Sequence, residues 1–359
     1  MIKVLDLYIA KKFIGTLIFI MLMTAMVSVI FDISEKIEDF TKNDATWQGI
    51  IFKYYVNFVP TILNLISPLI IFLSALYFTS RLANNTEFVA MLSGGISYYR
   101  LLVPYLAVAL LLVGVDYSLK NYLIPHAYGK QLDFEMKYLQ QGYNYTKVHI
   151  HRQLDEETFF YTHVYDFNNN IAYKFAIEKF EDRKLIYKLR ANDATYDTIS
   201  NRWKARDYVI RRIDGMKETV EKGDTISLKL SLTREDFGQK VKSIPTMTTP
   251  EMNRVIAQEK FRGEDLAAFY GIEKSKRTAM PVAIIILVVI AVSIATRKMR
   301  GGIGMHLMFG ILIAISYELM MRFSTTFATN ADLAPSVAVW LPNIIYSILA
   351  VVLLVRTPK

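Results

Sequence analysis

Six stretches of the chain contain no Asp, Glu, Lys or Arg for fifteen or more consecutive residues. They are Phe13–Phe31, Tyr54–Ser80, Leu101–Val115, Thr278–Thr296, Gly301–Tyr317 and Leu333–Val355, and they run for 19, 27, 15, 19, 17 and 23 residues. A hydrocarbon layer about 30 Å thick takes roughly 20 helical residues at 1.5 Å each. Four runs reach 19 or more, and the other two reach the interface once flanking Arg and Tyr side chains extend outward. Of the 359 residues, 53% are apolar, against about 45–50% in soluble domains. The expected fold is therefore membrane α-helical, with six transmembrane helices arranged three and three around a long intervening segment. The first run is longer than a signal-peptide core, and no small-x-small cleavage site follows it, so it is expected to remain as the first span.

Charge sets the expected orientation. With both termini inside, the short inner segments carry ten basic residues: Lys3, Lys11, Lys12, Arg81, Arg100, Arg297, Lys298, Arg300, Arg356 and Lys359. The short outer loops carry four, Lys36, Lys42, Lys53 and Arg322. The first outer loop is also acidic, through Asp32, Glu35, Glu38, Asp39 and Asp44. The long segment at about 120–277 does not vote, because long domains translocate whatever their charge. The net charge of +9 reads as membrane-edge lysine and arginine rather than as a nucleic-acid footprint.

Residues 126–245 read as β. Short alternating runs recur at Thr158–Tyr165, Tyr173–Phe180, Leu185–Leu189, Tyr208–Ile213 and Thr225–Leu232, the last the cleanest with apolar residues at every second position. Asn168-Asn169-Asn170, Asp182-Arg183, Asn201 and Glu221-Lys222-Gly223-Asp224 punctuate them. Short strands at near-regular spacing suit an antiparallel sandwich, a jelly roll or a partly open barrel. Thr249-Pro250-Glu251 then has a Thr cap, Pro at the first position and acid in the first turn, and predicts a helix that leads over the membrane surface to Glu273–Arg277.

Several chemistries are excluded. The chain has no cysteine, hence no thiolate metal site, cysteine nucleophile or disulfide. It has no Walker phosphate loop, no nucleophile elbow and no His-Glu-x-x-His. Leu92-Ser93-Gly94-Gly95 reads as a glycine turn between helices, not as an ATP-cassette signature. His149-x-His151 offers two ligands on one strand face, too few for a closed zinc site. The five histidines form no catalytic group, so the chain is expected to be non-enzymatic and cofactor-free. Ionisable residues in or beside spans are functional candidates. Glu318 and Arg322, at i and i+4, are either a self-neutralising pair or a receiver for an anionic headgroup. Lys36 and Lys42 either meet phosphates or are solvated among acids. Asp116, ending the third run, is expected to be solvated.

Between the second and third spans, Thr86–Leu92 predicts a short helix stopped by Gly94-Gly95. Such a helix either closes a plain hairpin or inserts into a groove on a soluble partner, with apolar side chains giving area and Glu87 giving orientation.

The chain resembles the LptF/LptG (YjgP/YjgQ) family of lipopolysaccharide-export permeases. The resemblance lies in Leu5-Asp6-x-Tyr8-Ile9, in Thr86-Glu87…Ser93-Gly94-Gly95-Ile96-Ser97 with Pro104 beyond, in Asn121-Tyr-Leu-Ile-Pro125, and in Lys276-Arg277…Pro281. The Lys3–Ile9 and Asp32–Lys36 runs are nearer the LptG side, with Leu7 where a basic residue is usual. The resemblance implies spans at 1–125 with a cytoplasmic coupling helix near 82–95, a periplasmic β-jellyroll at 126–248, a connector helix at 249–277 and spans at 278–359. It further implies a bacterial inner-membrane permease of an ABC exporter that passes lipopolysaccharide to a periplasmic bridge. The implied partners are an LptB-like cytoplasmic ATPase dimer that does the hydrolysis, an LptF-like paralogous permease, and LptC-like and LptA-like jellyroll proteins. On this resemblance Glu87 docks into the ATPase, with Arg81, Phe88, Met91, Gly94 and Gly95 around it. Lys36, Lys42, Glu318 and Arg322 are then the headgroup candidates. A secondary transporter, a lipid-binding scaffold and a lipid-processing enzyme are the competing classes. Spans one, four and six lack charges, and no nucleophile and base stand out.

Overall fold

The computed structural model describes residues 4–43, 45–139, 148–166, 169–197, 200–230, 232, 243–261, 266–296, 301–330 and 333–357. Contacts divide it into a helical unit and a smaller sheet-bearing unit. The inner-loop cations Arg297, Lys298 and Arg300 lie outside the described residues.

In the helical unit, α1 (Val4–Lys42) is followed by α2 (Trp47–Leu65) and α3 (Ser67–Asn84), which meet at a 66° bend. The bend falls at Ile66 (φ −109°, ψ 15°). Pro68 explains its place: a helix restarted just before it puts the missing N–H in a first turn, where no partner is needed. The second apolar run, Tyr54–Ser80, is thus divided between two helix axes at Ile66. The short α4 (Glu87–Ser93) leads to α5 (Tyr98–Tyr138). After the sheet come α6 (Thr249–Phe261), α7 (Leu266–Ala295), α8 (Gly302–Asn330) and α9 (Pro335–Arg356). Among the described residues five helices are long and apolar enough to cross a membrane, and the bent α2–α3 pair makes a sixth span if counted as one.

Two boundaries differ from the sequence reading. Residues 126–138 are helical rather than β, because a π-turn at Leu119–Leu123 carries α5 past Pro125, which then sits in the first turn of the continuation. The charged Glu273–Arg277 stretch belongs to α7 rather than to a surface connector, and Arg277 is buried. The cap of α6 is Thr248, one residue earlier than expected. Its N–H donates to the Glu251 carboxylate (2.8 Å) and its carbonyl accepts from Met252 N–H (3.0 Å).

α7 forms the centre of the bundle. Ala279, Ala283, Ile284, Leu287, Val288 and Ala291 are fully enclosed. α8 approaches α3 closely at Gly310, where an added Cβ would run into the end of the Leu76 side chain. α1 is the opposite case, since only Ile9, Phe13, Leu17, Asp32 and Phe40 along its 39 residues are buried.

The second unit holds one antiparallel sheet of six strands in sequence order: β1 (Val148–Gln153), β2 (Thr158–Asp166), β3 (Ile171–Glu181), β4 (Lys184–Asp197), β5 (Arg202–Asp214) and β6 (Lys217–Leu228). All five pairings are antiparallel. Lys174 and Asp207 take positive φ (52° and 51°) inside strands, where the β2–β3 and β4–β5 ladders lose pairs but keep their register on both sides; the register shifts instead between Lys179 and Phe180 of β3 against β4, as at a bulge. One face is apolar and closes around Trp203, whose ring meets Phe160, Tyr165, Phe175 and Tyr196. The indole N–H donates to the Leu232 carbonyl (2.9 Å). β6 carries Lys217, Glu218, Glu221, Lys222 and Asp224 and has no neighbour on its outer side among the described residues.

Trp203→Ala should cost about 3–5 kcal/mol of sheet stability, with Trp203→Phe intermediate. Limited proteolysis of the intact chain, read as cleavage between residues 148 and 228, checks this.

Candidate functional site

The short helix between the spans is built by local rules. Thr86, before it, is left-handed (φ 62°), an unfavourable conformation for a β-branched residue. Its carbonyl accepts from Ala90 N–H (2.9 Å) to open α4. At the other end Ile96 N–H donates to Met91 O (3.2 Å) and Gly95 N–H to Leu92 O (3.0 Å), with Gly95 at φ 83°. This is a Schellman cap, and it needs glycine at that position. Ser97 then caps α5 by accepting from Arg100 N–H (3.3 Å).

Three of the predicted coupling residues are placed differently from one another. Phe88 is buried (1% exposed) against Tyr98, so its ring anchors α4 to the bundle and does not face outward. Met91 is half-buried on the same core. Glu87 stands at the helix start and accepts from Tyr8 Oη on Oε2 (2.9 Å) and from Asn85 Nδ2 on Oε1 (3.3 Å). Arg81, Gly94 and Gly95 are exposed. Nearby, Arg100 donates to both oxygens of Asp6 (2.7 and 2.6 Å), the bidentate geometry that fixes direction as well as distance. Two sequence motifs 79 residues apart thus meet in space.

A second set of ionisable residues lies toward the other end of α1. Lys36 pairs with Asp32 (2.7 Å) and Glu135 (3.6 Å), and donates to Tyr54 Oη. Tyr54 and Tyr55 each donate to Asp32 (3.1 Å). The π-turn at Ile50–Tyr55 brings these two successive rings to one carboxylate. Lys36 is therefore a half-buried tie between α1, α2 and α5, whereas Lys42 is exposed and pairs with Glu38 one turn away (2.7 Å). Arg322 pairs with Glu318 (3.2 Å) and remains largely exposed.

Arg322 and Glu318 line a cavity of about 450 Å³ with Lys120, Lys276, Arg277 and Glu273. Four cations thus face it against two carboxylates. Arg277 is held by donating to Met247 O (2.6 Å) and Thr249 Oγ1 (3.1 Å), and Thr249 donates on to Asn121 (2.6 Å). The sequence reading missed Lys120, Glu273, Lys276 and Arg277 as a group, because their helices come together only in the fold. The Lys276-Arg277 pair was visible as a motif.

An apolar cavity of about 300 Å³ lies between α1, α2, α3 and α5, and Asn64 lines both cavities. Its wall includes Asp116, which is buried (4% exposed), not solvated as expected. Asp116 accepts from Asn64 (2.9 Å), Ser67 (2.6 Å) and Lys120 (2.6 Å). The donors come from both sides of the Ile66 bend, so the carboxylate that looked terminal in sequence ties the broken span together. Among the described residues no group of His, Asp and Glu forms a metal set.

The fold is that of a multi-pass membrane protein, with a separate antiparallel β domain inserted between two sets of spans. Residues 7–356 match the family model described as lipopolysaccharide export system permease LptF/LptG, and the chain belongs to that family. No curated relative matches it. The general role that follows is that of a permease subunit in lipopolysaccharide export.

Removing the Asp116 carboxylate (Asp116→Ala) takes from the mostly enclosed Lys120 its ion-pair partner at 2.6 Å, at a cost of about 3–5 kcal/mol. Asp116→Leu combined with Lys120→Leu should recover much of that loss. Thermal unfolding of the detergent-solubilised chain measures both. Gly95→Val should cost about 1–2 kcal/mol through its left-handed backbone and loosen α4, seen as faster amide exchange at residues 87–93.

Proposed function

We propose that the chain is the LptG-like permease subunit of an ABC exporter in the bacterial inner membrane. It pairs with an LptF-like paralogue and is driven by an LptB-like ATPase dimer on the cytoplasmic side. The observation that carries this is the family match over residues 7–356. Both termini and α4 face the cytoplasm in this reading, in keeping with the ten-to-four excess of lysine and arginine on the short inner segments. The sheet unit lies in the periplasm and hands lipid to LptC-like and LptA-like β-jellyroll proteins. The chain itself is non-catalytic, and the absence of a Walker loop supports hydrolysis by the partner.

Glu87 supplies the carboxylate that orients α4 in the ATPase groove, while buried Phe88 keeps the helix attached to the bundle. Lipopolysaccharide enters from the outer leaflet. Its phosphates are met by Lys42, by Arg322 with the cationic cavity behind it, and by Lys36 once the Asp32 and Glu135 contacts are exchanged. Lifting acyl chains out of a bilayer costs about 0.8 kcal/mol per CH₂ exposed to water. Apolar surfaces along the spans and one apolar face of the sheet reduce that exposure.

Ion-coupled secondary transport takes support from one observation, the 66° break beside buried Asp116. ATP dependence separates the two. Lipid release from spheroplasts should require ATP and should survive collapse of the ion gradients.

Glu87→Ala is expected to leave the subunit inserted and paired but to reduce ATPase co-purification severalfold. Wild-type recovery of ATPase would remove Glu87 from the docking site. Charge reversal at Lys36, Lys42 or Arg322 should lower photo-crosslinking of lipopolysaccharide to the subunit. Unchanged yield in all three would take them out of the lipid path.

A further inference from the structure

α1 packs on its own bundle along one narrow face, where Leu5, Ala10, Ile20 and Met21 are partly buried against the core. Its buried apolar residues are Ile9, Phe13 and Leu17 near one end and Phe40 near the other. Between them, Ile18, Phe19, Leu22, Met26, Ile30 and Phe31 are all exposed. Polar contacts at the two ends add direction to this packing. At the far end these are the Asp32 and Lys36 contacts. At the near end they are Asp6 with Arg100, and Tyr8 with Glu87.

The two near-end contacts differ in kind. Asp6–Arg100 fastens α1 to α5, a long span within the bundle. Tyr8–Glu87 fastens it to α4, a two-turn helix hung between a strained Thr86 and a glycine cap. α4 is thus the shorter element of this pair, seated on the bundle by Phe88. A displacement of α4 reaches the bundle through Phe88 and reaches α1 through the Tyr8 hydroxyl. At 39 residues α1 is about 58 Å long, so movement at Tyr8 is carried along one helix to the Lys36 end.

We propose that Tyr8 is a positioning residue that links Glu87 to α1, so that force applied to α4 is delivered to the most exposed span of the subunit. The proposal rests on the reading of Glu87 as the ATPase-docking group. The carboxylate can serve both partners: Tyr8 uses one lone pair of Oε2, which leaves acceptor capacity on both oxygens for a cation of the ATPase.

The chain has no cysteine, so Leu22→Cys on α1 and Val89→Cys on α4 can be spin-labelled without background; both positions are exposed. Their distance is measured in the full chain in nanodiscs, alone and in the ATPase complex trapped with ATP and vanadate. With Tyr8 present the distribution should be narrow, and trapping should leave it narrow because the two helices move together. Tyr8→Phe should broaden it in both states. It should also lower lipopolysaccharide-stimulated ATP turnover about threefold to tenfold, the scale of one hydrogen bond, with KM for ATP and ATPase stoichiometry unchanged. Glu87→Gln retains an oxygen that accepts from Tyr8 but loses the charge. It should keep the narrow distribution and lose ATPase.

Identical distributions and turnover in Tyr8→Phe and the parent chain would overturn the link. Full ATPase recovery with Glu87→Gln and Glu87→Ala would instead overturn the docking reading, while the distance measured without ATPase still decides whether Tyr8 holds α1 to α4.

Discussion

A carboxylate buried in the helical unit has to be satisfied locally, and Asp116 is satisfied from three directions. Asn64 and Ser67 lie on the two sides of the Ile66 bend, and Lys120 lies one turn further along α5. In an apolar environment the alternative to such a set is an unpaired charge, which costs far more than the bend itself. The bend gives the second span two axes. Its two halves wall the apolar cavity, and Asn64 at the junction also reaches the charged one. The positions of α2, α3 and α5 therefore depend on a group that contributes no apolar burial.

The spans were legible in sequence because exclusion of charge from hydrocarbon is a one-dimensional constraint. A run of 19 or more uncharged residues has few other uses. The stop of α4 was legible for a similar reason, since Gly94-Gly95 supplies a left-handed position that other residues resist. The family was legible because several weak motifs kept their order over the whole chain. The continuation of α5 beyond Pro125 was not legible. Proline signals a break only when the preceding turn is α-helical, and the π-turn at Leu119–Leu123 removes that conflict.

The candidate site was legible in part. Glu87 announces itself as the lone acid in a short apolar helix. Its bond to Tyr8 does not, because pattern rules operate within one element and this contact crosses 79 residues. The same applies to Lys120, Glu273, Arg277 and Glu318, which share a cavity although their separations in sequence suggest nothing of the kind. Asp116 was misread because a charge at the end of an apolar run usually marks the water boundary. Here the helix continues for 22 residues more, to Tyr138.

The outer strand of the sheet has a further consequence. Among the described residues β6 has no neighbour beyond β5, and every second backbone group along it points away from β5, open to an extended chain that approaches. Lys217, Glu218, Glu221, Lys222 and Asp224 decorate that strand at close intervals. An incoming strand would have to strip water from charges of both signs at once, and an arbitrary sequence offers no matching set. The edge is thereby guarded against fibre growth and chance pairing even when many copies of the protein crowd one membrane.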